Sequence, residues 1–162
     1  MSQKKNNEKI LFFREAVFRV AELIFNNPNK TFYIRMLEKE TKFSTTAVIG
    51  AVKELKSFDI IDIEETPLTK NIKANLDSEA YRFYKLVFNL YRLKKYGLID
   101  SLVEVFSNPK AIVLFGSFAK GEDIEESDID ILVLSSNKNH NLTNFTNIFE
   151  KKLNRKIDMH IL

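Results

Sequence analysis

The 162-residue chain has no cysteine. A disulfide framework is therefore excluded, as is any metal site built on thiolates. Nor does it contain an apolar run long enough to cross a bilayer. The basic opening, MSQKKNNEKI, leads into neither an apolar core nor a small-residue cleavage site, so no secretory signal is expected. Internal repeats and long low-complexity stretches are also missing. What remains is a chain that is 44% hydrophobic, enough to build a core. A soluble cytoplasmic protein with no membrane contact is the expectation.

The net charge is +3, but the distribution is uneven. Residues 1–76 hold 13 basic against 10 acidic residues, whereas residues 111–162 hold 6 against 8. Mild basicity at the start permits contact with nucleic acid without requiring it. The acidic excess at the end comes from one cluster, Glu122 to Asp130.

Three segments are expected. In residues 8–76, Ile10, Leu11, Val17, Val20, Ala21, Leu23 and Ile24 recur at helical spacing, and Asn26 to Asn29 stop that helix. A second helix is expected over Ile34 to Thr41. Ser44 or Thr45 caps a third, carrying Val48, Ile49, Val52, Leu55 and Phe58. Ile60 to Glu64 alternates as a half-buried strand, Thr66-Pro67-Leu68 turns, and Asn71 to Leu76 returns. Helix, helix, helix, hairpin is the order of a winged helix-turn-helix. Its third helix would offer Thr45, Thr46, Lys53 and Lys56 to DNA. That helix lacks arginine, the commonest specific base reader, and a packing or dimerisation module has the same element order.

Residues 77–108 read as a helical linker, capped by Ser78 and broken at Gly97. Its aromatic and aliphatic residues, Tyr81 to Tyr96, cover more than one stripe, as in a helix packed between two bodies. Residues 109–162 read as short buried strands at Ala111–Phe115 and Ile129–Leu134, a helix over Leu142–Leu153, and a third strand at Ile157–Leu162.

The informative stretch is GSFAKGEDIEESDIDILVL, Gly116 to Leu134. A glycine after a strand lets backbone approach a ligand closely. Ser117 adds a hydroxyl, and the amides after it can face phosphate. Asp128 and Asp130, two apart on a strand, project from one face. Paired carboxylates repel unless a cation lies between them, and Mg²⁺ prefers carboxylate, water and phosphate oxygens. A Mg²⁺-bound nucleoside triphosphate suits this set. Glu122, Asp123, Glu125 and Glu126 read as solvated loop charges, His140 as exposed and inert, and His160 as a structural histidine sharing a strand face with Asp158.

The pattern Gly116-Ser117, Ala119, Gly121, then Ser127-Asp128-x-Asp130 followed by Ile131, Leu132 and Val133 resembles the nucleotidyltransferase superfamily related to DNA polymerase beta, in its minimal branch. Leu153, Arg155, Lys156, Ile157 and Asp158 resemble the stretch that carries the family's third carboxylate. The resemblance implies an α+β protein whose C-terminal mixed β-sheet is flanked by helices. It implies that Asp128, Asp130 and Asp158 hold two Mg²⁺ (or Mn²⁺) ions and that Gly116 and Ser117 hold an NTP. Lys120 adds charge near the phosphates, a role the family does not assign. The expected reaction moves a nucleoside monophosphate, AMP in the leading reading, to a hydroxyl. Many members continue with further helices, a surface that here the linker helix or a partner chain, including a second copy, would supply. The competing readings are a DNA-binding regulator or antitoxin-like protein using this domain as a sensor or docking unit, and an inactive scaffold.

Overall fold

The computed structural model describes residues 14–66, 69–137 and 142–162. Ile10 and Leu11, the Pro67–Leu68 turn and His140 lie outside the described residues.

Helix α1, Glu15–Asn26, buries Val17, Val20, Ala21, Ile24 and Phe25. This spacing keeps one stripe of the helix against the core. Helix α2, Ile34–Thr41, buries Leu37 and ends where Lys42 turns left-handed at φ 61°. Helix α3, Thr45–Ser57, starts at Ser44, whose side chain accepts a bond from the Ala47 amide. That bond satisfies one of the donors a helix start leaves free. Strands β1, Ile61–Glu65, and β2, Lys70–Ala74, form an antiparallel hairpin. Phe32, between α1 and α2, bridges to Ile72 on β2. Ile49 departs from its expected inward place and is 38% exposed. Val48, Ala51, Val52 and Leu55 already fill the buried stripe of α3, and Ile49 falls about 100° round from Val48.

Helix α4, Glu79–Lys95, is capped by Ser78, which accepts from the Tyr81 amide at 3.3 Å. Its Tyr81 and Phe88 belong to the core formed by α1 to α3 and the hairpin, while its Leu93 belongs to a second core. The helix therefore serves two apolar clusters, as its many-sided apolar pattern predicts.

Gly97, left-handed at φ 78°, leads into α5, Leu98–Val105. Strand β3, Ala111–Phe115, is followed directly by α6, Gly116–Lys120. Strand β4, Ile129–Leu134, helix α7, Thr143–Leu153, and strand β5, Ile157–Ile161, complete the chain's described elements. The sheet order is β3-β4-β5, with β3 antiparallel and β5 parallel to β4. This is a mixed sheet, and the fold is α+β. One face carries Ile129, Ile131, Val133 and Ile157 into the second core, with Leu98, Leu102, Phe106, Phe118 and Leu153. The opposite face is open. Ala111–Phe115 is thus covered on one side only, and Val113 and Phe115 are 44% and 39% exposed, unlike the buried strand its apolar run suggests.

Candidate functional site

The open face of the mixed sheet carries the predicted carboxylates. Phe115 is opposite Asp130 across the β3–β4 ladder, and Asp130 is opposite Asp158 across the β4–β5 ladder. Phe115, Asp130 and Asp158 therefore form one row across three strands. Alternation fixes their side: Ile129, Ile131 and Ile157 turn inward, so Asp130 and Asp158 turn outward. Asp128 sits one residue before β4 and is exposed. It borders a cavity of about 700 Å³ that Ser127, Asn147, Lys151, Arg155 and Lys156 also line.

Gly116 takes φ +71°, a conformation disfavoured for other residues. It also lies in close contact with the Asp130 side chain. A Cβ at this position would overlap Asp130 Oδ2 and fall 2.9 Å from Asp130 Cγ. The turn from β3 into α6 thus runs its backbone against the carboxylate. Ser117 stands in the first turn of α6, and Lys120 is exposed at its far end.

The connection from α6 to Asp128 is tightly built. Gly121, at φ +69°, ends α6, and a Cβ there would overlap the Arg82 carbonyl oxygen of α4. Ser127 closes a turn: its Oγ accepts from the Ile124 amide at 2.9 Å, and its amide donates to the Ile124 carbonyl at 3.1 Å. Asp123, expected among the solvated charges, is only 2% exposed. Its carboxylate accepts from Asn89 Nδ2 at 2.7 Å and lies 3.3 Å from Lys85 Nζ. The pairing explains the burial, since an isolated buried carboxylate would neutralise or find a cation. Glu125 also has a partner, accepting from the backbone and side chain of Asn29 at 3.3 and 2.9 Å.

His160 shares the open face with Asp158, as expected, and its Nε2 lies 3.3 Å from Asp158 Oδ2. It is not enclosed: its side chain is 54% exposed. The His160 ring stands 5.8 Å from that of Phe115.

Among the described residues, no three His, Cys, Asp or Glu side chains are gathered as a ready metal cage. The residues present nevertheless suit a hard divalent ion. Asp130 and Asp158 are in register on adjacent strands, their oxygens are the preferred donors, and the glycine leaves the ground beside Asp130 clear.

Residues 98–162 match the family model described as Polymerase beta, Nucleotidyltransferase. The matched segment contains α5, the mixed sheet, α6 and α7, and with them Gly116, Ser117, Asp128, Asp130 and Asp158. Among curated proteins, one of Methanocaldococcus jannaschii named "Putative protein adenylyltransferase" is 43% identical over 54 residues, covering 31% of this chain and 54% of that relative. The chain thus spans about half the length of the curated relative it matches. No solved structure matches. The family match covers 65 of the chain's 162 residues, its C-terminal part. No described helix is long and apolar enough to cross a membrane.

Away from this face, Thr45, Thr46 and Lys53 are exposed on α3. Lys56 turns aside to pair with Asp62 on β1 at 2.9 Å. Sequence reasoning missed Lys85, Asn89 and Asp123. The available signal was the stripe Tyr81, Lys85, Phe88, Arg92, where two cations occupy core-facing helical positions. Burial pulls the Lys85 ammonium below the ordinary lysine range, and Asp123 opposes that shift. Arg92, also lowered by burial, donates to the Leu153 carbonyl of α7.

Proposed function

We propose that this chain is a divalent-metal-dependent nucleotidyltransferase that moves AMP from ATP to a hydroxyl on an acceptor. The carrying observation is the cross-strand register of Asp130 with Asp158 beside the close approach of Gly116. Asp128, Asp130 and Asp158 hold Mg²⁺ or Mn²⁺. Bound there, the metal supplies Lewis acidity to the phosphoryl oxygens and lowers the pKa of the attacking hydroxyl. Gly116 and Ser117 seat the triphosphate, with Lys120 adding positive charge. The acceptor oxygen forms a bond to the α-phosphorus, the α–β bridging bond breaks, and pyrophosphate leaves. Asp158 orients the attacking hydroxyl and receives its proton. The family match and the relative's printed name support nucleotidyl transfer.

Incubation of the full chain with Mg²⁺ and α-labelled ATP should produce labelled acceptor or labelled chain. EDTA should abolish it and Mn²⁺ restore it. Absence of both transfer and metal-dependent nucleotide binding with every NTP would end this reading.

Gly116→Ala is expected to lower transfer by about 10²-fold, because a displacement of about 1 Å at a reacting group has that effect. The check is kcat on a variant whose circular dichroism matches the parent. Activity within threefold of the parent would show that the close approach to Asp130 is dispensable.

A second reading concerns residues 14–76. The exposed Thr45, Thr46 and Lys53 on α3, beside the β1–β2 hairpin, favour a winged helix-turn-helix that binds DNA. In that reading the nucleotidyltransferase segment is a sensor or docking unit. Salt-sensitive, sequence-selective gel shifts would support it.

A further inference from the structure

The family match begins at residue 98, yet the segment leading to the catalytic aspartates is held by residues before it. Lys85 Nζ donates to the Asp123 carbonyl at 2.8 Å and to the Phe25 carbonyl of α1 at 2.7 Å. Its third neighbour is the Asp123 carboxylate. One ammonium group thus joins the end of α1, helix α4 and the 121–127 segment. Asn89 Nδ2 adds two bonds to the same region, to the Phe118 carbonyl at 3.0 Å and to Asp123 Oδ1 at 2.7 Å. Lys85 and Asn89 are fully buried. Asn29, just past α1, grips Glu125 from outside. Gly121 lies against the backbone of α4 so closely that no side chain fits.

A solvated loop of this length would explore many conformations, and fixing each residue opposes ordering by about 1–2 kcal/mol. The bonds above restrict that freedom at Asp123 and Glu125, five and three residues before Asp128. We infer that Lys85 and Asn89 are positioning residues for the nucleotidyl transfer site: they hold segment 121–127 so that Asp128 and Asp130 are presented together, and they tie that placement to the N-terminal helices. The inference rests on the proposed transferase activity, but its mechanical half does not.

The test uses the full chain and two variants. Lys85→Met removes the central bonds at similar length. Asn89→Ala removes the bonds to Phe118 and Asp123 Oδ1 while leaving the Lys85–Asp123 pair in place, so it keeps the test open if Lys85→Met does not fold. Amide hydrogen exchange over residues 122–130, measured without metal or nucleotide, reads the mechanical half. The amides of Glu122, Ile124, Ser127 and Ile129 are bonded in the parent, to Ser117, Ser127, Ile124 and Lys156, and provide the baseline. Exchange there should quicken about tenfold or more in Asn89→Ala, beyond what any change in the urea midpoint accounts for. Steady-state kinetics should show kcat down about tenfold in Asn89→Ala and further in Lys85→Met, with KM for ATP within twofold. A merely structural role would shift the urea midpoint and leave kcat per folded molecule intact. Parent-like exchange at 122–130 in the folded variants overturns the inference, as does parent-like kcat. A parent that transfers nothing removes the transferase reading instead, and exchange alone then decides whether the segment is held as described.

Discussion

Asp130→Ala is expected to reduce nucleotide transfer by about 10³-fold while leaving the protein folded. Asp130 is the middle of the row Phe115, Asp130, Asp158. Among the described residues, it is the carboxylate that faces both the glycine turn and the second acidic strand. Losing it removes a metal ligand and the group against which Gly116 is fitted. Metal-derived stabilisation of the transition state amounts to several kcal/mol, and about 1.4 kcal/mol is a tenfold change in rate. Stability should not fall, because without a bound cation two adjacent carboxylates repel. The pair of measurements is therefore diagnostic: labelled-ATP transfer collapses while the urea midpoint in EDTA stays level or rises. Transfer within tenfold of the parent would remove Asp130 from the site.

Asp123→Ala should produce the largest loss of stability. Its carboxylate and Lys85 face each other with side chains 1% exposed. Deleting one member of a buried pair lowers stability by about 3–5 kcal/mol, because the remaining charge stays buried. At a urea slope of about 2 kcal/mol/M, the midpoint should drop by about 2 M. The loss should depend on pH. Burial already pulls the Lys85 pKa below its ordinary value, and Asp123 is the chief opposing influence. Without Asp123 the folded-state pKa falls further, so over the interval up to the unfolded lysine pKa the unfolded chain binds more protons. Stability must then increase as pH rises across that interval. The variant should be worst near neutrality and recover towards pH 10. The double variant Lys85→Met/Asp123→Ala should recover part of the loss at all pH values, since removing both charges removes the desolvation problem. A pH-independent deficit in Asp123→Ala would mean that lost packing, not charge, is responsible.

Helix and strand periodicities made most of the fold legible. The stripe from Val17 to Ile24, the Ser44 and Ser78 caps, the glycine breaks and the apolar strands all lie near their expected places. The candidate site was legible because Gly-Ser and Asp-x-Asp are local patterns. Cross-strand placement of Asp158 against Asp130 followed from a resemblance, since no spacing rule yields a register between β4 and β5. Asp123 was misread for a physical reason. Its neighbours Glu122, Glu125 and Glu126 are acidic and the segment resembles a solvated loop. Its buried partners, Lys85 and Asn89, are 38 and 34 residues away. A core lysine on α4 announces that some anion must come to meet it, but not which one. The exposed Val113 and Phe115 were missed for a related reason: an apolar run does not say whether one or two faces of its sheet are covered.

The β4–β5 ladder has one more consequence, for where this chain tolerates length changes. Side chains in a strand alternate, so a slip of one residue would turn Asp158 inward and bring Ile157 or Met159 out beside Asp130. Asn154, Arg155 and Lys156 between α7 and β5 therefore act as a fixed spacer. Its gauge is set at both ends, by the left-handed Asn154 that closes α7 and by the Ile157 amide, which donates to Glu150 Oε1 at 3.0 Å. Natural variation in length should avoid this short bridge.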